Sequence, residues 1–187
     1  MTWELLTFGN AHTKNVKLDH LDGGFDDHAY FQQGLLLEEL PRYRLEDGRQ
    51  FLDCNVSTGN SIIVSKRFKE LFEEFELSGL EFNQIQVVTA KRRPKKVECY
   101  LIRPIYFIEN FQFSHFKAND RIKGGKYTGV ELKSSNIEAD VVSPKNTGLI
   151  FMRSPAKELL SALAPSLSGL RMANLKDLYY HTQEEVV

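Results

Sequence analysis

One plan occurs twice in this chain, in residues 61–82 and again in residues 148–172, and it constrains the fold more than any other feature. Each copy has a short apolar stretch, then apolar residues at helical spacing, then the tetrapeptide Leu-Ser-Gly-Leu. The helical positions correspond at an offset of 88 residues and the tetrapeptides at an offset of 90, because two residues are inserted near Pro165. Helix faces alone often match by chance, but a shared tetrapeptide in register with them favours a true repeat.

The first copy has the clearest element signals. Ile62-Ile63-Val64 is β-branched and predicts a buried strand. Ser65 predicts an N-cap, because its hydroxyl can accept a hydrogen bond from an unpaired N–H of the first helical turn. Gly79 is predicted to end the helix as a left-handed C-cap. The apolar side chains between them recur at helical spacing and define one helix face: Phe68, Leu71, Phe72 and Phe75.

The second copy predicts the same elements. Residues 148–152 are expected to form a buried strand, and Ser154 to cap a helix with Pro155 at its first position. Pro165 limits the length of this helix. A true repeat implies two strand–helix units with their helices packed on a common sheet, and two copies are too few for a solenoid.

Two longer strands are predicted between the copies, at 81–90 and 97–108. The run Lys91-Arg92-Arg93-Pro94-Lys95-Lys96 predicts a hairpin loop between them, because proline cannot donate to a ladder and the like charges repel. Pro104 indicates that the second strand ends, bulges or lies at an edge there. Three shorter strands are also predicted: 51–56, 127–132 and 139–142.

These elements predict an α+β fold with a mixed or mainly antiparallel sheet and two amphipathic helices. A single domain, 1–187, is expected, with a poorly defined N-terminal segment (1–49) before an α+β core (50–187). The acidic segment 19–28 contains a Gly pair and is predicted to be a loop. A hydrophobic fraction of 42% and a net charge of −1 exclude global disorder.

The expected location is a reducing cytoplasm. The N-terminal sequence lacks the pattern of a secretion signal, and two cysteines make no disulfide framework. No uncharged apolar run approaches the ~20 residues of a transmembrane helix, so no membrane partner is expected.

The sequence contains no recognisable catalytic pattern. The stretch 123–129 is rich in Gly and Lys, but Asp120 and Tyr127 stand where a Walker A loop needs its first Gly and its Ser or Thr. Cys54 and Cys99 lie in predicted strands, where a cysteine behaves as a small hydrophobe. We therefore expect no enzyme, no metal and no cofactor. The nearest candidate for a metal site fits no standard zinc spacing: His20, Asp22, Asp26, Asp27 and His28.

The first copy and its surroundings resemble a known family. The resemblance is carried by Ser65-Lys66-Arg67-Phe68-Lys69, by Gly79-Leu80-Glu81-Phe82 and by the second Leu-Ser-Gly-Leu at 167–170. These motifs are similar to those of small bacterial immunity proteins of polymorphic-toxin systems, first delineated around myxobacterial members. The resemblance covers roughly residues 50–175. Met172 stands where family members often have Phe, and the first fifty residues carry no motif that can be named.

The resemblance implies a non-enzymatic α+β protein that binds and blocks a toxin made by its own cell or by sibling cells. The partner would then be a protein toxin encoded nearby. Surface chemistry suggests two binding regions, because aromatic anchors with a charged rim are typical of interfaces. The predicted partner-binding residues are Asp26, Asp27, Tyr30 and Phe31 at the acidic segment, and Arg92 and Arg93 in the basic run.

A nucleic-acid-binding module that uses the basic run 91–96 is the alternative. Such a run can contact phosphates, and Tyr100 or Phe107 could stack on bases. A pI of about 6.5 disfavours this alternative, because nucleic-acid-binding domains are usually basic. A solvated hairpin tip whose charges discourage pairing between sheet edges explains the basic run at least as well. An enzyme with an unrecognised site would require a pocket lined by convergent groups with shifted pKa values.

Overall fold

The described part of the chain forms three β-sheets and three α-helices, which confirms the predicted α+β class. This computed structural model describes residues 3–8, 18–21, 25–34, 41–46, 50–57, 61–89, 96–109, 111–118, 125–132, 137–145, 149–163, 166–173 and 179–180. The helices are α1 (Asp27–Gln33), α2 (Lys66–Glu74) and α3 (Ser154–Leu163). The strands are β1 (Trp3–Phe8), β2 (Leu18–His20), β3 (Arg42–Leu45), β4 (Cys54–Val56), β5 (Ile62–Ser65), β6 (Leu80–Thr89), β7 (Lys96–Pro104), β8 (Phe107–Ile108), β9 (Phe111–Ala118), β10 (Gly125–Leu132), β11 (Val141–Pro144), β12 (Ile150–Arg153), β13 (Leu170–Ala173) and β14 (Tyr179–Tyr180).

Both large sheets are mixed. The six-stranded sheet has the order β2-β3-β6-β7-β5-β4, and only the β3–β6 pair in it is parallel. The five-stranded sheet has the order β13-β1-β12-β11-β8, with a parallel β11–β8 pair. The strands β14, β10 and β9 form a third, antiparallel sheet.

The repeat is larger in the structure than in the sequence. In the six-stranded sheet, β7 lies between β6 and β5, and β4 flanks β5. In the five-stranded sheet, β1 lies between β13 and β12, and β11 flanks β12. The order β6-β7-β5-β4 with α2 therefore corresponds to the order β13-β1-β12-β11 with α3. We call these two sets the first unit and the second unit.

The strand registers of the two units agree residue by residue. Ile102 of β7 lies opposite Ile62 on one side and Phe82 on the other. Leu6 of β1 lies opposite Ile150 and Met172, which are the repeat equivalents of Ile62 and Phe82. The expectation of a common sheet is wrong, because each unit completes its own sheet with a strand from outside the sequence repeat.

One hydrophobic core joins the two units. Its members come from equivalent positions of both helices and both buried strands. Phe68 and Phe72 of α2 are almost fully buried, and so are their equivalents in α3, Ala156 and Leu160. Because the apolar face of neither helix can be covered by its own short strands alone, the units bury these faces in a shared cluster.

Two equivalent hydrogen-bonded contacts tie each unit to the other, and we call them the Asp–Ser links. In one link, Ser78 donates from its backbone N–H and its hydroxyl to Asp140 Oδ2, at 3.0 and 2.9 Å. Ser78 Oγ accepts from the backbone N–H of Asp140 at 3.1 Å, and the carbonyl of Ser78 accepts from the N–H of Val141 at 3.0 Å. The Ser78 turn follows α2, whereas Asp140 precedes β11.

The other link repeats the same four bonds with the units exchanged. Ser168 donates from its N–H and its hydroxyl to Asp53 Oδ2, both at 2.9 Å. Ser168 Oγ accepts from the N–H of Asp53, and its carbonyl accepts from the N–H of Cys54, again at 2.9 Å. The two serines are the second residues of the Leu-Ser-Gly-Leu copies, so the repeated tetrapeptide supplies one side of each link.

The second oxygen of each aspartate is used within its own unit. Asp53 Oδ1 accepts from the Ser65 hydroxyl at 2.7 Å, and Asp140 Oδ1 accepts from the guanidinium of Arg153. Ser65 and Arg153 occupy equivalent positions in the repeat. Ser65 Oγ also accepts from the N–H of Phe68 at 3.2 Å, which confirms its predicted N-cap role and connects the start of α2 to the link.

Gly79 does not end α2, and that prediction is wrong. The helix ends at Glu74 with Phe75 as its C-cap, at φ −89° and ψ 9°, and Glu76 adopts a left-handed conformation at φ 52°. Gly79 has φ +107°, and a Cβ there would lie 2.2 Å from the carbonyl oxygen of Val141. Its repeat equivalent, Gly169, has φ +82°, and a Cβ there would lie 2.1 Å from the carbonyl oxygen of Cys54. Glycine at both positions allows the close backbone approach in each link.

The acidic segment 19–28 is not a simple loop. Leu18–His20 forms β2, and Asp27 begins α1. Asp26 caps this helix by accepting from the N–H of Ala29 at 2.9 Å, which explains why the helix starts inside the acidic stretch.

The remaining local predictions can be checked in part. Pro104 is the last residue of β7, which is one of the three outcomes predicted for it. The helix α3 begins at Ser154, one residue earlier than predicted. The strands β6 and β7 are antiparallel, with Val88 opposite Lys96, so they form the predicted hairpin. Residues 91–95 of its connection lie outside the described residues.

Replacing either link glycine by alanine should destabilise the protein strongly. Gly79→Ala and Gly169→Ala each place a methyl group against a backbone carbonyl at an unfavourable φ, and we expect each to lower the free energy of unfolding by more than about 2 kcal/mol. Gly34→Ala is the matched control. Gly34 also has positive φ, but its Cβ would meet the far end of the Arg103 side chain rather than backbone, so a smaller loss of about 1 kcal/mol is expected. Denaturant unfolding measures all three, and equal losses would contradict the role assigned to the close approach.

The link at Asp53 should make stability depend on pH. Burial raises the pKa of Asp53, but hydrogen bonds from Ser65 and Ser168, with the charge of Arg67, outweigh burial and hold the pKa below its usual value. A lowered pKa in the folded state stabilises the protein above the usual pKa, and this contribution disappears as the pH falls through the folded value.

Asp53→Asn should therefore lower the free energy of unfolding by about 1–3 kcal/mol at pH 7, because charge-assisted hydrogen bonds are lost. The difference from the wild-type protein should shrink as the pH falls below about 4. Chemical denaturation at a series of pH values measures it. Glu70→Gln, on the exposed side of α2, is the control with little expected change. A difference that stays constant down to pH 2 would show that the charge of Asp53 is not what stabilises the link.

Candidate binding surface

One half of one face of the six-stranded sheet is open. Along β3, β6 and β7 the side chains alternate between buried and exposed positions. The buried ones include Tyr43, Val87 and Cys99, which pack in a second hydrophobic cluster. The exposed or partly exposed ones point to the other side and form what we call the open sheet face: Arg42, Arg44, Gln84, Gln86, Val88, Lys96, Glu98 and Tyr100.

The open sheet face begins where α2 no longer packs over the sheet. The rings of Phe68 and Phe72 lie 6.4 and 5.4 Å from the ring of Phe82, centre to centre, so α2 packs over this part of β6. Two residues further along the strand, Gln84 is exposed, and so is Gln86. The same face of one sheet is therefore apolar and covered at one end, and polar and uncovered at the other.

Strand register orders the open sheet face into rows. Arg42, Gln86 and Glu98 lie side by side on β3, β6 and β7. Arg44, Val88 and Lys96 form the next row. Neighbouring strands lie about 5 Å apart, so Arg44 and Lys96 flank Val88 at about 10 Å from each other.

The described part of this face carries both signs of charge. Arg42, Arg44 and Lys96 share it with Glu98 and with Asp19 of β2, which lies opposite Arg44 in the register. Glu98 has the ammonium of Lys66 at 3.7 Å. The ammonium of Lys69 lies 5.4 Å from the centre of the Tyr100 ring. Lys96, the first residue of β7, is the last residue of the basic run, and the rest of that run lies outside the described residues.

Asp27 belongs to a polar cluster on the other side of the molecule. Its Oδ2 lies 2.9 Å from His20 Nε2, and its Oδ1 accepts a hydrogen bond from the hydroxyl of Ser61. In a catalytic triad the serine donates to the imidazole, which the carboxylate orients. Here the carboxylate stands between serine and histidine, so the cluster fastens α1 to β2 and to the start of β5.

The aromatic residues predicted for partner binding are buried. Tyr30 is 3% exposed and accepts a hydrogen bond from the side-chain amide of Asn83 at 2.9 Å; burial raises its pKa to about 12. Phe31 is 8% exposed and lies edge-on to Phe107, with ring centres 6.4 Å apart. Tyr30 packs in the second hydrophobic cluster and Phe31 in the core shared by the two units, so in this conformation neither presents an aromatic anchor at the surface.

The other predicted binding residues differ in accessibility. Asp26 is exposed at the start of α1, and Asp27 is largely enclosed by its two hydrogen-bond partners. Arg92 and Arg93 lie outside the described residues. The partner-binding role of these residues stays a prediction.

A second exposed feature carries no sequence motif. Ile105 and Tyr106 are 45% and 49% exposed in the turn after β7. Backbone hydrogen bonds fix this turn, since the N–H of Ile105 donates to the carbonyl of Gly79 and the carbonyl of Tyr106 accepts from Ser143, both at 3.0 Å. Pro104, which ends the strand immediately before two large side chains, is the signal that could have indicated their exposure.

The thiols of Cys54 and Cys99 are not activated as nucleophiles. Burial raises the pKa of Cys99 to about 12 and raises that of Cys54 well above its usual value, so both stay protonated at neutral pH. Within the described ranges, no group of three or more His, Cys, Asp or Glu residues could hold a metal ion. The helices described here are all too short or too polar to cross a bilayer.

Comparison with protein-family models matches residues 15–147 to an immunity protein family, Imm11. The match covers well over half of the chain. The chain belongs to the Imm11 immunity protein family. The resemblance to an immunity protein family is thereby confirmed. The Imm11 match begins nearer the N-terminus than that resemblance did, and it ends at residue 147, before the second copy of the repeat. It includes β2, α1 and β3, which build the acidic segment and one edge of the open sheet face. Comparison with individually curated proteins gives no match.

Proposed function

We propose that this Imm11 protein neutralises a partner toxin by binding it directly, with no chemical step of its own. Membership of an immunity protein family is the observation that carries the proposal. The toxin is a protein encoded beside this gene, and the two meet in the cytoplasm of the cell that makes them.

The use of the polar side chains supports binding rather than catalysis. Asp53 and Asp140 are engaged in the links between units, and Asp27 is engaged with His20 and Ser61. These carboxylates hold structural elements together, and their hydrogen-bonding capacity is already used within the fold. The polar side chains that can still contact a partner lie on the surface, which suits recognition of a protein.

Rigid surface favours tight binding, because little conformational freedom is lost when the complex forms. The open sheet face lies on three neighbouring strands, two of which are central in a six-stranded sheet. The Ile105–Tyr106 turn is held by backbone hydrogen bonds on both sides. Asp26, Arg92 and Arg93 are kept in the proposal as residues near a toxin contact, and Tyr30 and Phe31 support α1 from within.

Co-expression with the product of the neighbouring gene should test the proposal. We expect cells that make the toxin to grow only when this protein is present, and the two polypeptides to purify as a complex. The Gly79→Ala, Gly169→Ala double variant, which should not fold stably, is the control and should not protect.

Titration distinguishes binding from catalytic inactivation. Toxin activity in vitro should fall in proportion to the protein added and disappear at the molar ratio of the purified complex. Complete protection at a tenth of that ratio would contradict neutralisation by binding alone, and so would protection with no complex formed.

A further inference from the structure

We propose that β12 and β13 enclose a strand-binding groove, in which β1 lies as a separable ligand. An extended peptide with the sequence of β1 then binds in this groove even when it belongs to a different polypeptide. The inference concerns the backbone pairing of Trp3–Phe8 and is independent of the proposed function.

The first argument is the way in which the central strand of each unit is connected. In the first unit, β7 lies between β6 and β5 and follows β6 in the chain as the second strand of a hairpin. In the second unit the same place is taken by β1, which precedes both of its neighbours by more than 140 residues. A hairpin therefore ties β7 to its neighbour, whereas no hairpin ties β1 to β12 or to β13.

The second argument is that β1 is paired along both of its edges. The residues from Trp3 to Leu6 lie opposite β12, and those from Leu5 to Phe8 lie opposite β13, antiparallel on both sides. Each residue of the strand thus has a partner on at least one side. Addition of a strand to a sheet edge is a common mode of peptide binding, because the backbone hydrogen bonds supply affinity. A groove without β1 would present two unpaired edges to the same gap, which favours uptake of a strand.

The third argument is the apolar lining of the groove. Ile150, Phe151 and Met152 of β12 are almost fully buried. The register places Leu6 where the first unit has Ile102, which is also almost fully buried and belongs to the shared core. Since alternate residues of a strand face the same side, we expect the groove to select a strand with an apolar residue at this register position.

Occupation of the groove is coupled to both Asp–Ser links. Ser168, which binds Asp53, lies two residues before β13, and Arg153, which donates to Asp140, is the last residue of β12. Because β1 is the strand that joins β12 to β13, it connects the two parts of the second unit that meet the first unit. Emptying the groove should therefore loosen the joint between the units, and filling it should restore that joint.

A protein cut between β1 and β2 tests the inference. A protease recognition sequence is inserted between Asn10 and Ala11, the full chain is folded and purified, and the connection is then cleaved. A fluorescent synthetic peptide of residues 1–10 is added to the cut protein, and its uptake is followed by fluorescence anisotropy. Two control peptides carry one proline each: Leu5→Pro inside the strand and Thr2→Pro just before it.

We expect the cut protein to stay folded with its first segment bound, and to exchange that segment for the labelled peptide. The Thr2→Pro peptide should bind within about twofold of the wild-type peptide, because proline is tolerated outside the ladder. The Leu5→Pro peptide should bind at least about tenfold more weakly, because proline has no N–H to donate to a neighbouring strand. Added wild-type peptide should also raise the unfolding temperature of the cut protein, since it binds only the folded state.

Equal binding of the two proline peptides would overturn the inference, and so would a cut protein that takes up no peptide. A cut protein that loses residues 1–10 without losing stability would also overturn it, because the second unit would then not need a strand in the groove.

Hydrogen exchange of the uncut wild-type protein tests the same inference without an insertion. We expect the backbone amides of β1, β12 and β13 to exchange together, and faster than those of β5, β6 and β7, because release of one strand opens both of its ladders. The variant Leu5→Pro in the full chain should increase this difference, and Thr2→Pro should leave it unchanged. Equal exchange rates in the two units of the wild-type protein would show that β1 does not separate from its neighbours and would overturn the inference.

Discussion

The two Asp–Ser links are the interaction on which the relative placement of the units depends. Each aspartate uses one carboxylate oxygen for the serine of the other unit and one for a side chain of its own unit. The second link is the first with the roles of the two units exchanged. Together the two charge-assisted contacts fix both the distance and the rotation between the two large sheets. In that arrangement the apolar faces of α2 and α3 meet in one shared core.

This arrangement also determines which surface stays open. The second unit covers the end of the six-stranded sheet at which β4 and β5 enter the shared core. It leaves the far ends of β3, β6 and β7 outside the core, and the sequence there supplies charged and amide side chains in place of apolar ones. The open sheet face lies on the unit that carries three additional elements, β2, α1 and β3, which have no described counterpart in the other unit.

Local signals in the sequence predicted most elements of the two units. The β-branched run 62–64, the Ser65 cap and the helix face with Phe68 and Phe72 are all present. Gly79 was misread because a glycine soon after a helix has the same sequence signature whether it caps the helix or permits a close backbone approach. Only the carbonyl of Val141, 62 residues further along the chain, distinguishes the two. The equivalence of β1 and β7 was equally hidden, since it lies in strand pairing and leaves no shared motif.

The candidate surface was harder to predict than the fold for a related reason. Tyr30 and Phe31 are aromatic residues beside acidic ones, but whether such residues lie in a core or at a surface depends on what packs against their helix. Arg42 and Arg44 are separated in sequence from Lys96 by more than fifty residues, and only the parallel pairing of β3 with β6 places them on one face. Parallel pairing has no turn motif to reveal it. A binding surface whose residues are brought together by strand pairing can therefore be identified only when the order of the strands in the sheet is known.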